Sequence, residues 1–114
     1  MPILIVEGPS DWGACRNYYK YVLASNSAWI GYRQAYFLSN LSKNIFLGWD
    51  ADETGSKNRQ RAKDILEQFG CNVGFVSPSK KDWGIMYESE YGRELLDRTM
   101  NGFLEMVNKI NLYI

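Results

Sequence analysis

The chain has 114 residues, 46% of them hydrophobic and 23% charged, with a formal net charge of zero. This length suggests one domain with a real core, and the charge balance excludes coating nucleic acid by bulk charge, though not a local basic patch. There is no histidine, and the two cysteines, Cys15 and Cys71, lie far apart with no CxxC; this excludes Ser-His or Cys-His catalysis, argues against a zinc site, and reads as two buried, reduced thiols.

The N-terminal MPILIVEG lacks a basic n-region and its apolar run is too short for a signal peptide. No stretch approaches the ~20 apolar residues of a membrane span. A soluble, cytoplasmic protein without membrane contact is expected. Ile3 to Val6 is a β-branched run without alternation, as in a strand buried on both faces. Gly8-Pro9-Ser10-Asp11 breaks it, and Ser10 or Asp11 offers a cap for a helix from Trp12 to about Leu23. Ser25-Asn26-Ser27 reads as a loop, Ala28 to Gly31 as a short second strand, and Tyr32 to Leu41 as a helix with Ala35, Leu38 and Leu41 on one face. Ile45 to Trp49 is a third apolar strand, and Asp50 to Gly55 a loop. Lys57 to Phe69 is an amphipathic helix closed by Gly70, Val73 to Val76 a fourth strand, and Pro78 to Asp82 a loop. From about Glu88, Leu96, Met100, Phe103, Val107 and Ile110 recur at helical spacing.

Strand and helix thus alternate four times. That pattern predicts an α/β domain with about four mainly parallel strands flanked by helices, and right-handed crossovers. The core spans about 3–84 and a C-terminal helix about 88–110, in one domain over 1–114. In such sheets ligands bind beyond the carboxyl ends of the strands.

Acidic residues collect at those ends. Glu7 follows the first strand, with Asp11 four residues on; Asp50 and Asp52 follow the third; Asp82 lies after the fourth. Converging carboxylates repel one another, and a hard divalent cation relieves that cost. Asp50 and Asp52, one residue apart on an extended segment, point the same way. D-x-D-x-x-G alone is equally a turn in which Asp52 caps the next helix; Glu7 and Asp82 at matching strand ends favour the metal site.

"IVEGPSD", followed about forty residues later by "LGWDADETG", resembles the two signatures of the Toprim fold. That fold is Rossmann-like and is shared by bacterial-type primases, type IA and type II topoisomerases and OLD-family nucleases. "SPSKKDW" is similar to the G-K-D loop of DnaG-type primases and to the K-D-W-N loop of Toprim modules in phage and plasmid replication or mobilisation proteins. The resemblance covers about residues 3–84. It implies that Glu7 is the general acid/base, that Asp50 and Asp52 hold Mg²⁺ (or Mn²⁺), and that Asp11 and Asp82 are secondary ligands. It implies close approach of backbone and phosphate at Gly8 and Gly55. Trp83-Gly84-Ile85 stand where primase-type loops carry a further acidic or Asn residue, so a complete second metal site is not implied. The implied activity is primase-like nucleotidyl transfer in DNA replication on DNA or RNA and nucleotides, alongside other replication proteins or further domains. A metal-dependent DNA-binding module without turnover, or a nuclease, would use the same residues.

Lys57, Arg59, Arg61 and Lys63 lie on the helix after the D-x-D segment, and Lys80 and Lys81 precede Asp82. Lys57, Lys80 and Lys81 are the candidate phosphate contacts; Arg61 and Lys63 read rather as a solvated helix face. Trp12 and Trp83, each beside a motif, suit either stacking on a base or packing in the core. The apolar stripe of the last helix suits packing on the sheet, with Phe103, Val107 and Leu112 also available to a partner.

Overall fold

The computed structural model describes residues 1–49, 53–78 and 82–112. Its strands are β1 (Ile3–Val6), β2 (Val22–Ala24), β3 (Asn44–Leu47) and β4 (Asn72–Phe75). Its helices are α1 (Pro9–Arg16), α2 (Tyr32–Leu41), α3 (Glu53–Gln68), α4 (Trp83–Tyr87) and α5 (Glu90–Leu112). The strands form one sheet in the order β2-β1-β3-β4, and every pairing is parallel. The expected α/β class and strand number are those observed.

The central strands explain why their sequences do not alternate. Ile3 and Ile5 of β1, with Ile45 and Leu47 of β3, face a layer built by α2 and α3 through Ala35, Leu38, Ala62, Ile65 and Leu66. Leu4, Val6 and Phe46 face the opposite layer, where α1, α4 and α5 contribute Cys15, Trp83, Met86, Leu96 and Phe103. Both sheet faces are covered, so both residue parities are apolar. The α5 stripe lies on the sheet as expected. Phe103 meets the Tyr19 and Phe46 rings edge-on at 5.2 and 5.1 Å. Phe103 and Val107 are both buried in this domain's own core, and the Leu112 side chain lies outside the described residues.

Three local readings are corrected. The first helix ends at Arg16, not near Leu23. The Asn17 amide donates to the Gly13 and Ala14 carbonyls, at 3.0 and 3.2 Å, and closes that helix end. The β-favouring run that follows enters the sheet, so the second strand is Val22–Ala24, not 28–31. The Leu4 amide bonds the Tyr21 carbonyl and the Ser25 amide that of Val6, which fixes its register. Ile30 is instead a buried plug beneath α2, and Trp29 lies outside at 50% exposure. The short α4 occupies a stretch just before α5 to which the sequence reading assigned no element. Helix α3 also begins at Glu53, which brings Gly55 into its first turn rather than the loop; an acidic residue at a helix start is favoured by the helix dipole.

Trp83 is completely buried, and its indole N–H donates to the Gly48 carbonyl at 2.7 Å, just past β3. It is a core residue, and the base-stacking alternative is excluded. A Cβ at Gly48 would come within 3.1 Å of Leu4 Cδ1 and 3.2 Å of Trp83 Nε1. A side chain there would have to displace Leu4 or the indole by a few tenths of an ångström, whereas a Cβ at Gly8 would meet nothing within 4 Å. Trp83→Phe is expected to cost about 1–3 kcal/mol in chemical denaturation, because the Gly48 carbonyl loses its donor in a dry environment. Gly48→Ala should lower stability measurably, while Gly8→Ala leaves it within about 0.5 kcal/mol.

Candidate metal and phosphate site

The parallel order brings the strand ends to one edge. The Gly48 amide bonds the Ile5 carbonyl at 2.7 Å and the Val76 amide bonds that of Leu47 at 3.1 Å. The chains leaving β1, β3 and β4 therefore emerge side by side. Glu7, half-buried, is the first residue beyond β1. Trp49, the last described residue after β3, is fully buried, and Asp50 follows it in sequence. Asp50, Asp52, Lys80 and Lys81 lie outside the described residues.

Asp11 and Asp82 meet at the start of α4. Asp82 is the N-cap of that helix, and its Oδ1 accepts from the Ile85 amide at 2.7 Å. Asp11, on α1, is 7% exposed, and its Oδ1 accepts from the Gly84 amide at 3.0 Å. Gly84 makes this docking close: a Cβ there would lie 2.7 Å from Ser10 Oγ. Burial holds the Asp11 carboxyl above its ordinary value of 3.8; the amides of Gly84, Gly8 and Trp83 pull it down, and the charge of Asp82 pushes it up. Two of the expected acids thus share one corner, where each already serves the α4 backbone with one oxygen.

The remaining candidates divide. Gly8 caps α1 with open space where a side chain would stand, so the fold's own packing does not demand glycine there. Lys57 is exposed on α3 and lines a cleft of about 510 Å³ with Tyr32, Gln60 and Asp64. Arg61 donates to the Ile30 carbonyl at 3.2 Å and stacks on Trp29, and Lys63 pairs with Glu67 at 3.7 Å; both act within the domain. Trp12 donates its indole N–H to the Val22 carbonyl at 2.9 Å and carries Arg16 over its ring, while remaining 41% exposed at the rim. Both cysteines are free and buried, and burial pushes the Cys15 thiol up to about 12, which makes it a poor nucleophile.

A divalent cation fits the chemistry of this corner. The donor set is all oxygen, and the ionised form of Asp11 is opposed by burial and by Asp82, two penalties that a hard cation would offset. Among the described residues no group of three acid or thiol side chains is gathered closely enough to hold an ion. Such a site therefore needs oxygens beyond those described.

The Toprim-like family profile matches residues 4–86. The chain belongs to this family. Its fold is similar to the Aquifex aeolicus primase, in a structure of the zinc-binding and RNA polymerase domains, at 26% identity and a TM-score of 0.71, over 89% of this chain and 25% of that one. It is also similar to a DnaG primase catalytic domain bound to single-stranded DNA, at 20% identity and a TM-score of 0.68, over 89% of this chain and 33% of that one. A small Toprim domain protein from Bacillus stearothermophilus shares the fold at 19% identity and a TM-score of 0.55, over 73% of this chain and 72% of that one. This Toprim domain thus spans a quarter to a third of those primase chains. No curated protein sequence matches it.

The Asp11 environment sets a pH dependence. Folding raises its pKa, so the folded state holds that proton more tightly than the unfolded state does. Its ionised form therefore costs stability at neutral pH, and the cost disappears as pH falls below the ordinary value of 3.8. The stability advantage of wild type over Asp11→Ala, measured by urea denaturation, is expected to grow as pH drops from about 7 toward 4. A constant advantage would mean that the carboxyl is not raised.

Proposed function

We propose that this Toprim domain binds Mg²⁺ (or Mn²⁺) at the carboxyl edge of its sheet and acts on nucleic-acid phosphodiesters, with primase-like nucleotidyl transfer as its activity. One observation carries the reading: β1 and β3 are adjacent and parallel, so Glu7, just past β1, and Trp49, the residue that precedes Asp50 in sequence, follow strands that end at the same edge. The family membership and the likeness to primase catalytic domains support it. In this reading Asp50 and Asp52 hold the cation, with Asp11 and Asp82 as further oxygens. When bound, the metal would neutralise phosphate charge as the transition state develops.

The chain's own residues supply the rest. In this reading Glu7 would take the proton of an attacking hydroxyl as general base and return it as general acid. Lys57, Lys80 and Lys81 would hold phosphates near the edge. Gly8 leaves space for a strand to approach, and Gly55 would do the same at the start of α3. DNA or RNA strands and nucleotides are the ligands in this reading, within a replication assembly of phage or plasmid type.

A second reading has its own support. The Asp11 and Asp82 oxygens are engaged by α4 amides, and no acid follows Asp82 before Glu88. A grip on DNA through one metal, without turnover, would not need a further acid after Asp82, whereas a two-metal mechanism would.

In a Mn²⁺ titration followed by calorimetry, Asp50→Asn with Asp52→Asn is expected to weaken binding at least about tenfold. Unchanged affinity would remove both residues from the site. Incubation with a single-stranded template, nucleoside triphosphates and Mg²⁺ separates the activities. Primer synthesis, lost in Glu7→Gln, is the expected result; binding without product supports the grip alone, and degradation of the template supports a nuclease.

A further inference from the structure

Arg59 stands apart from the other cations of α3. Its two terminal nitrogens donate to Ser77 Oγ at 2.8 Å and to Ser56 Oγ at 3.2 Å, and its guanidinium lies 5.0 Å over the Phe75 ring. Ser77 follows the end of β4, and Ser56 is in the opening turns of α3. The group therefore sits at the same strand-end edge as Glu7. Arg61 is spent on a backbone carbonyl and an indole, and Lys63 on Glu67. Among the described residues, Arg59 meets two neutral hydroxyls and a ring. Its Nε is buried and has no acceptor among the described residues.

We propose that Arg59, Ser56 and Ser77 form a phosphate subsite that takes one phosphodiester of a bound strand beside the metal edge. The inference rests on the nucleic-acid reading above. A guanidinium presents a planar fork of donors that matches two phosphate oxygens, and its bonds to an anion are about twice as strong as those to a neutral oxygen. Each serine accepts from Arg59, which leaves its own hydroxyl proton for a phosphate oxygen. The start of α3 adds a favourable dipole for an anion. The Phe75 face holds the guanidinium flat, so its orientation precedes ligand binding. Arg59 thereby fixes where a strand lies relative to the acids, rather than taking part in bond making.

The test uses the isotope-labelled full chain and two ligands, inorganic phosphate and a short single-stranded oligonucleotide. The Arg59 Nε–H resonance, assigned by its loss in Arg59→Lys, is expected to shift saturably with both and not with chloride at equal ionic strength. In oligonucleotide binding, Arg59→Ala is expected to lower affinity about tenfold and the salt-dependence slope by about 0.7. Arg59→Lys should restore the slope but not the full affinity, and Ser77→Ala should weaken binding with melting temperature unchanged. If wild type binds the strand and Arg59→Ala keeps its affinity and slope, the subsite is overturned while the nucleic-acid reading stands. If wild type binds no strand but the resonance shifts with phosphate, the subsite stands as an anion site and the nucleic-acid reading fails. A resonance that moves with neither ligand overturns the subsite. So does an Arg59→Ala defect that tracks a lowered melting temperature and is not relieved by lysine in the slope.

Discussion

The hydrogen bond from the buried Trp83 indole to the Gly48 carbonyl joins the two halves of this domain at the point where its chemistry would take place. Gly48 is the first residue past β3, and the acidic segment follows it within two residues. Trp83 opens α4, the helix that Asp11 and Asp82 cap. One contact therefore holds the end of the central strand against the acids of two other elements. The packing is tight: a Cβ at Gly48 would lie 3.1 Å from Leu4 Cδ1 and 3.2 Å from the indole nitrogen. In a close-packed interior such contacts transmit strain between the strand end and α4.

That tight packing has a cost, which falls on Asp11. Its carboxylate is placed where burial and Asp82 both disfavour ionisation, and only backbone amides favour it. A domain selected for stability alone would hold a neutral acceptor at this position. Unfavourable charge kept inside a cleft at strand ends is a mark of sites that bind cations or move protons. The Arg59 cluster has the complementary sign: a cation that donates to two neutral hydroxyls, at the same edge. The acids suit a metal, the guanidinium suits an anion, and a phosphodiester bridging the two would satisfy both.

Much of the frame could be read along the chain. The unbroken apolar runs of β1 and β3 signalled strands covered on both faces, and the α5 stripe signalled a helix on the sheet. Reading failed where local propensity was ambiguous. Tyr18 to Val22 carries aromatic and β-branched residues that suit either state, and sheet pairing to Leu4–Val6 decided for a strand. Trp29-Ile30 looks like strand sequence, yet one residue plugs the core and the other stacks on Arg61. Trp83, beside a motif, suited stacking or core packing equally; nothing in sequence gave the partner 35 residues away that decided for the core. Ser56 and Ser77 carried no signal, because a hydroxyl acquires meaning only from the cation that it faces.

The sequence by itself determined the class of the fold and the side of the sheet on which its strand-end acids fall. Alternating strand and helix patterns require a parallel sheet, and acids placed after strands belong to its carboxyl edge whatever the details, because every parallel strand ends there. The tertiary structure alone decided which acids meet and at what cost, and which cation faces a pair of hydroxyls. Asp11 and Asp82 lie 71 residues apart in the chain and share one corner only because α4 docks on α1. Arg59 reaches Ser77 only because α3 lies across β4. Spacing along the chain specifies a residue's element, whereas desolvation and pairing depend on what the other elements bring within a few ångströms.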